Sequence, residues 1–397
     1  MQDSKKLSES QNMKPIDQLT TNFFATLNAK VVAIQATNAD VIRLDIGSPD
    51  LPPAPYIIET LSQSARRADA HGYQSHRGSA ALREAWAEMY RRVHGVLIDP
   101  ESVLPLMGSK EGVFHLSQAV LNTGDVVLVP NPGYLTYTQG ARFAGAEPFF
   151  LPLLPENRYL PDLNAMPLNI RQRAKILWLN YPNNPTTAVA PLEFFSQAVA
   201  FCRRYGILLC HDSAYTQVTF ENTNAPSVLE VSGANEVCIE FNTLSKSHNM
   251  AGWRVGAAVG NSEAVTALLK LKTHADSGHF GPVLDASVAA MLGDQSWLDE
   301  RNLVYQERRD VVITALRGMG FSLQEPRASL YVWCPIPEDW VSSSDFALTL
   351  LEQAHVSLAP GIVFGPGGEG FVRISLVQPM DRLNQAMERI QHVMRKV

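Results

Sequence analysis

Two spacings of apolar residues alternate along this chain. Short runs rich in β-branched and aliphatic residues at 126–129, 176–179, 207–210, 237–241 and 255–259 are bounded by Gly, Pro, Asn or Asp, as buried strands are. Between them, at 109–121, 134–143, 191–204 and 262–273, apolar positions return near the 3.6-residue period of a helix. This alternation predicts an α/β fold with a mostly parallel central sheet covered by helices on both faces. After residue 294 the pattern changes to a long charged helix followed by strand-like runs at 330–333 and 370–376, which predict a smaller α+β domain. Before residue 53 a helix-like stretch, the run 41–44 and the turn-rich Gly47-Ser48-Pro49-Asp50 are placed to return and pack with that domain. The expected division is a flexible tail at 1–16, an N-terminal segment at 17–53, a large domain at 54–294 and a small domain at 295–397, with a site in the cleft between the last two.

Composition narrows the partners more than the fold. Hydrophobic content of 46% with 18% charged residues is that of a soluble globular protein, and a formal net charge of −6 argues against nucleic acid or an anionic membrane. The basic pairs Arg66-Arg67, Arg91-Arg92 and Arg308-Arg309 read as solvated helix faces. Cys202, Cys210, Cys238 and Cys334 lack metal-ligand spacing, and two lie in apolar runs where a reduced, buried thiol is expected. The polar first dozen residues carry no apolar signal core, and no stretch approaches the roughly 18 apolar residues of a membrane span, so a cytoplasmic address is expected.

The densest chemistry lies at 242–256. Lys246 is flanked by Thr243, Ser245 and Arg254, two hydroxyls and a guanidinium that can grip phosphate oxygens through parallel hydrogen bonds. A lysine becomes a Schiff-base nucleophile when desolvation and nearby cations lower its pKa from about 10.4. An amine beside a phosphate site describes a phosphate-bearing aldehyde and points to pyridoxal 5′-phosphate; the plain alternative is a strand end with a solvated lysine. Such a cofactor needs a carboxylate near its ring nitrogen. Asp212 follows the run 207–210, where open α/β sheets place ligand-binding groups, although a turn cap would look the same. Tyr215 is placed to reach the ring's phenolic oxygen. Asn184, in Asn180-Tyr181-Pro182-Asn183-Asn184-Pro185-Thr186, is a second donor to it or an ordinary turn residue.

Gly108, Ser109 and Lys110 precede a helix whose N–H groups and dipole offer an anion cradle. Tyr134 can stack on a pyridine ring or serve as a core tyrosine. Arg373 sits in a strand that otherwise reads as buried, where a substrate carboxylate or an internal salt bridge would satisfy it. His211 abuts Asp212 but points to the opposite strand face, and no histidine shows metal spacing, so no metal is assigned.

Together these motifs resemble the class I/II aminotransferases of fold type I, over residues 40–380. The resemblance implies that Lys246 holds the cofactor as a Schiff base and then shuttles a proton between substrate Cα and cofactor. It implies Asp212 on the pyridine nitrogen, Tyr215 and Asn184 on the phenolic oxygen, and Tyr134 on the ring. Gly108, Ser109, Lys110, Thr243, Ser245 and Arg254 would hold phosphate; Arg373, with Asn184 and the Gly47 backbone, would bind the substrate carboxylate. Tyr73 would reach the phosphate of a neighbouring subunit, implying a homodimer with shared sites. Finer resemblance, to LL-diaminopimelate aminotransferases and related bacterial aminotransferases, rests on Tyr73-Gln74-Ser75-His76-Arg77-Gly78, Met107-Gly108-Ser109-Lys110-Glu111-Gly112, His211-Asp212-Ser213-Ala214-Tyr215 and 271–278. Thr187 departs from the usual glycine after Asn-Pro-Thr, and His274 from the usual asparagine.

The reaction implied is ping-pong transamination from an L-amino acid, with LL-diaminopimelate as one candidate, to a 2-oxo acid such as 2-oxoglutarate. Alternatives are an aminotransferase for aspartate, alanine or aromatic amino acids, a β-eliminating C–S lyase, and a ligand-sensing homologue without catalysis. The last would need an output module, and the chain carries no basic helix-turn-helix segment.

Overall fold

The computed structural model describes Ile16, Leu19 and residues 23–395. The tail expected at 1–16 lies, apart from Ile16, outside the described residues.

Seven strands form the central sheet: β2 (Val103–Leu106), β3 (Val126–Asn131), β4 (Glu147–Pro152), β5 (Ala174–Asn180), β6 (Leu208–Asp212), β7 (Cys238–Thr243) and β8 (Gly256–Gly260). Their spatial order is β2-β8-β7-β6-β5-β3-β4, and only β8 runs against its neighbours. Side-chain alternation explains why both faces are apolar. On β5, Leu177 and Leu179 enter one core with Trp86 and Phe195, while Ile176 and Trp178 enter the opposite core with Val127 and Phe241. The helices cover these faces, and their ends follow local rules. Ala80–His94 starts on the Ser79 side chain, which accepts from Leu82 N, and stops at Gly95 in the left-handed conformation.

A second core gathers the rest of the chain. The three-stranded sheet of β11 (Ala359–Pro360), β12 (Phe371–Ser375) and β9 (Tyr331–Pro335) packs with the helices Ser296–Gly318 and Met380–Met394. The N-terminal segment joins here: β1 (Ile42–Arg43) pairs in parallel with β10 (Val356–Ser357), and Ser375 N donates to Leu44 O. The helix Ser296–Gly318 spans both cores, with Trp297 against the first and Tyr305, Val312 and Leu316 in the second.

One expectation is overturned. Arg66, Arg67, Arg91 and Arg92 are exposed, but Arg308 and Arg309 are buried. Arg308 pairs with Asp50, and Arg309 with Glu221, Asp310 and the Pro326 carbonyl. Asp50 and Glu221 come from remote segments, which a local charge run does not disclose. All four cysteines are buried and unpaired, and burial pushes each thiol's pKa up. Among the described residues no helix is long and apolar enough to cross a membrane.

Candidate active site

Parallel strands that start together end together, so the last residues of adjacent strands collect at one edge. Asn180 ends β5, Asp212 ends β6 and Thr243 ends β7, with Asn180 and Asp212 in register. This edge lines a cavity of about 820 Å³ that is closed from the other side by the 43–48 segment, Tyr331, Phe364 and Arg373. Ser109, Lys110, Tyr134, Asn184, Asp212, Tyr215, Thr243, Ser245, Lys246, Arg254, Gly47 and Arg373 all line it.

Lys246 lies in the single-turn helix Leu244–Ser247, directly after β7, and its Nζ donates to the Gly47 carbonyl. Burial pushes its amine below the ordinary lysine range; Arg373 and Arg254 push the same way, against Tyr331 and Asp212. Asp212 is 6% exposed. Its Oδ2 accepts from Tyr137 Oη at 2.8 Å, whereas Oδ1 is buried with no hydrogen-bond partner among the described residues. Burial holds its pKa above the usual carboxylate range, countered in part by the Tyr137 hydrogen bond and the His211 and Lys246 charges. Asn180 Nδ2 donates to Asp212 O at 2.8 Å, and Asn180 Oδ1 accepts from Asn184 N at 2.8 Å, so one amide ties the two strand ends together.

On the opposite wall, Arg373 Nη1 donates to Asn184 Oδ1 at 2.8 Å and Nη2 to Asp45 O at 2.9 Å. Its guanidinium lies over the Tyr331 ring at 4.1 Å and the Phe364 ring at 4.9 Å. Tyr331 and Tyr215 share a 2.9 Å hydroxyl contact. Burial opposes ionisation of both, but Arg373 and Lys246 make Tyr331 the more acidic of the two. A side chain at Gly47 would collide with the Tyr331 hydroxyl at 2.4 Å.

The third wall is built for an anion. Helix Ser109–Val120 presents its N-terminus, and Gly108 precedes it at φ 77°. A Cβ there would stand 2.2 Å from Arg254 Nη2, so only glycine lets the guanidinium lie along the loop. Arg254 Nη1 reaches Ser245 Oγ at 3.5 Å, and Thr243 Oγ1 donates to the Val255 carbonyl while meeting Ser245 Oγ at 2.9 Å. Tyr134 stands before the helix Leu135–Phe143, with the Lys110 ammonium 5.9 Å from its ring centroid.

The residues present fit pyridoxal 5′-phosphate. Asp212 Oδ1 lacks the donor that a ring N–H supplies, and a cation there would favour the ionised carboxylate. The hydroxyl, guanidinium and helix-terminus set matches a phosphate.

Two sequence-predicted residues lie outside this cavity's lining. Gly108 acts on it only through Arg254, and Tyr73 is 94% exposed. His211 does turn away from the cavity: its Nδ1 meets Glu240 Oε2 at 2.8 Å on the other face of the sheet. Thr187 is buried at φ 64°, a conformation that glycine adopts freely, and His274 is exposed. Sequence reasoning missed Tyr137, Asn180, Tyr331 and Phe364 as site residues. Tyr137 had a readable signal, one helical turn beyond Tyr134, and Asn180 opened the quoted Asn-Pro motif; Tyr331 and Phe364 had none.

Residues 39–390 match the family of class I and II aminotransferases. The chain is 42% identical over 388 residues to the LL-diaminopimelate aminotransferase of Moorella thermoacetica, covering 98% of this chain and 99% of that one. It is 46% identical over 385 residues to the enzyme of the same name from Desulforudis audaxviator, covering 97% and 98%. Among solved structures, substrate-bound BacF from Bacillus subtilis superposes with a TM-score of 0.92 at 38% identity, covering 96% of each chain. A double mutant of aspartate aminotransferase from Thermus thermophilus gives 0.89 at 27% identity, covering 96% and 98%.

Proposed function

The chain belongs to the class I and II aminotransferases, a pyridoxal-phosphate-dependent family of fold type I, and from that premise we propose LL-diaminopimelate as its amino donor and 2-oxoglutarate as acceptor. The curated relatives at 42% and 46% identity support the donor. The observation that carries the site is the convergence of Lys246 and the half-partnered Asp212 on one cavity.

When bound, pyridoxal 5′-phosphate supplies an aldehyde that takes the amino group and a pyridinium ring that accepts the electron pair released at the substrate Cα. Lys246, its amine held below the usual range, is the group that would attach the cofactor and, once free, would carry the proton released at the substrate Cα. Asp212 Oδ1 would keep a proton on the cofactor's ring nitrogen, and Tyr137 keeps the carboxylate oriented. Tyr215 and Asn184 would serve the cofactor's phenolic oxygen and Tyr134 its ring, all three lining the cavity. Ser109, Lys110, Thr243, Ser245 and Arg254 hold the phosphate, with Gly108 making room for Arg254. Arg373 binds the substrate α-carboxylate beside Asn184 and the Gly47 backbone. Tyr73, exposed in one chain, completes the phosphate site of a second copy in a homodimer. The same reading divides the chain into a large domain at 54–294 and a small domain at 295–397 with which the 17–53 segment packs; the pairing of β1 with β10 and the second core, which also takes in Ala214, Tyr215, Val218 and Phe220, support it.

Single half-reactions with LL-diaminopimelate, aspartate, glutamate, alanine and aromatic amino acids test the donor. LL-diaminopimelate is expected to convert the bound cofactor fastest, and no conversion with it refutes the donor assignment alone. Lys246→Ala is expected to abolish turnover and the visible absorption of the lysine-bound cofactor. Retention of both would refute the assignment of Lys246. Release of a thiol, pyruvate and ammonia from a cysteine-like substrate without any oxo-acid acceptor would mark elimination instead.

A further inference from the structure

The long helix Ser296–Gly318 carries Arg301, Tyr305 and Arg308 on one face, at the spacing of successive helical turns, and buries all three. Arg301 differs in its partners from Arg308 and Arg309 on the same helix, which pair with carboxylates. Its Nη1 donates to the carbonyls of Lys246, at 3.2 Å, and Ser247; its Nη2 donates to the Gln217 carbonyl and Asn302 Oδ1, both at 2.7 Å. Every one of these oxygens is uncharged. Burial brings the guanidinium down to about 10. A buried guanidinium without a carboxylate in contact is costly, and an apolar side chain would fill the space without that cost. What the guanidinium does that an apolar chain cannot is satisfy carbonyls. A helix of a single turn, Leu244–Ser247, leaves its last C=O groups without intrahelical partners, and Arg301 supplies donors to two of them.

The other end of the same helix face holds the segment that meets the Lys246 amine. Arg308 grips Asp50 through both carboxylate oxygens at 2.8 and 2.9 Å, and Tyr305 Oη donates to it at 3.3 Å. Asp50 lies three residues beyond Gly47, whose carbonyl accepts from Lys246 Nζ. One helix therefore fixes both the backbone behind Lys246 and the loop in front of its amine.

We propose that Arg301 is a positioning residue for Lys246: by capping the carbonyls of residues 246 and 247 it sets where the amine points relative to the Gly47 loop that Arg308 holds. The proposal rests on the assignment of Lys246 as the cofactor-binding proton carrier. Its role is to hold that amine where a short proton transfer is possible, since small displacements of a reacting group are expensive in rate.

The experiment uses the wild-type holoenzyme, Arg301→Met and Arg301→Lys, each loaded with pyridoxal 5′-phosphate. Four quantities are read: kcat and KM for the amino donor, the pH midpoint of the visible absorption band of the lysine-bound cofactor, and the thermal midpoint. Arg301→Met is expected to lower kcat by about tenfold or more with KM within about threefold, and to move the spectroscopic midpoint by about half a pH unit or more. Arg301→Lys, which keeps the charge but can serve fewer carbonyls, is expected to restore the midpoint in part. Should the Met variant not fold, the Lys variant is still expected to show a smaller midpoint shift, with a smaller loss of kcat. Variants that load cofactor with the wild-type midpoint and kcat, whatever their thermal midpoint, overturn the proposal. So does a loss of kcat accounted for entirely by lost cofactor. A wild-type enzyme that loads cofactor but transfers no amino group overturns the functional reading first, and this proposal with it.

Discussion

Burial acts on single groups here with opposite consequences for chemistry and for stability. The Lys246 amine is driven toward its neutral, nucleophilic form. His248, two residues on, is held down to about 3 by burial first and by the Arg301 charge second, its ring spanning Ser247 Oγ at 2.9 Å and Gln295 Oε1 at 3.2 Å. An unfolded histidine titrates near 6.5. Between about pH 6.5 and 3 the unfolded chain therefore binds a proton at this position that the folded chain refuses, so stability falls as pH falls through that window, by up to about 1.4 kcal/mol per pH unit. The contribution is flat above 6.5. Urea unfolding at pH 5 and pH 7 is expected to show the wild type losing more stability on acidification than His248→Asn. Equal losses would show that His248 is not the group responsible. Residues of this kind were only half legible in the sequence: Lys246 announced itself through Thr243, Ser245 and Arg254, whereas nothing local marked His248 as buried.

Strands and helices explain why the site assembles where it does. Three adjacent strand ends deliver Asn180, Asp212 and Thr243, and the helix Ser109–Val120 delivers its N-terminus to the same edge. These elements were readable, because their apolar periodicities are strong and their ends carry Gly, Asn and Asp. The helix Ser296–Gly318 was readable as a helix but not as an anchor. Its Arg308-Arg309 pair resembles a solvated face until Asp50 and Glu221 arrive from elsewhere. The loop before Ser109 gives a sharp test of element geometry. Gly108→Ala places a methyl at φ 77°, ψ 153° and 2.2 Å from Arg254 Nη2, which costs about 1–3 kcal/mol in backbone strain and displaces the guanidinium. Affinity for pyridoxal 5′-phosphate, measured by fluorescence titration, is expected to fall about tenfold, the loss of one charge-assisted hydrogen bond. Unchanged affinity would remove Arg254 from the phosphate site.

At the scale of the molecule, Tyr73 is 94% exposed and lies outside the cavity lining of its own chain, a placement that makes sense if a second copy uses it. Sedimentation equilibrium is expected to give a dimer, and Tyr73→Phe to weaken cofactor binding by about tenfold through one lost hydrogen bond to phosphate. A monomer with full cofactor affinity would refute the shared site. The α/β layering, the strand ends and the lysine, aspartate, asparagine and arginine set are determined by sequence alone, because periodicity and motif spacing are local properties that survive without knowledge of neighbours. Tertiary structure decided the rest. Tyr137 against Asp212, Tyr331 beneath Arg373, and Arg301 behind Lys246 join residues 75, 42 and 55 positions apart. Their roles come from burial and from which distant oxygen or ring each one meets, and the folded chain alone fixes those.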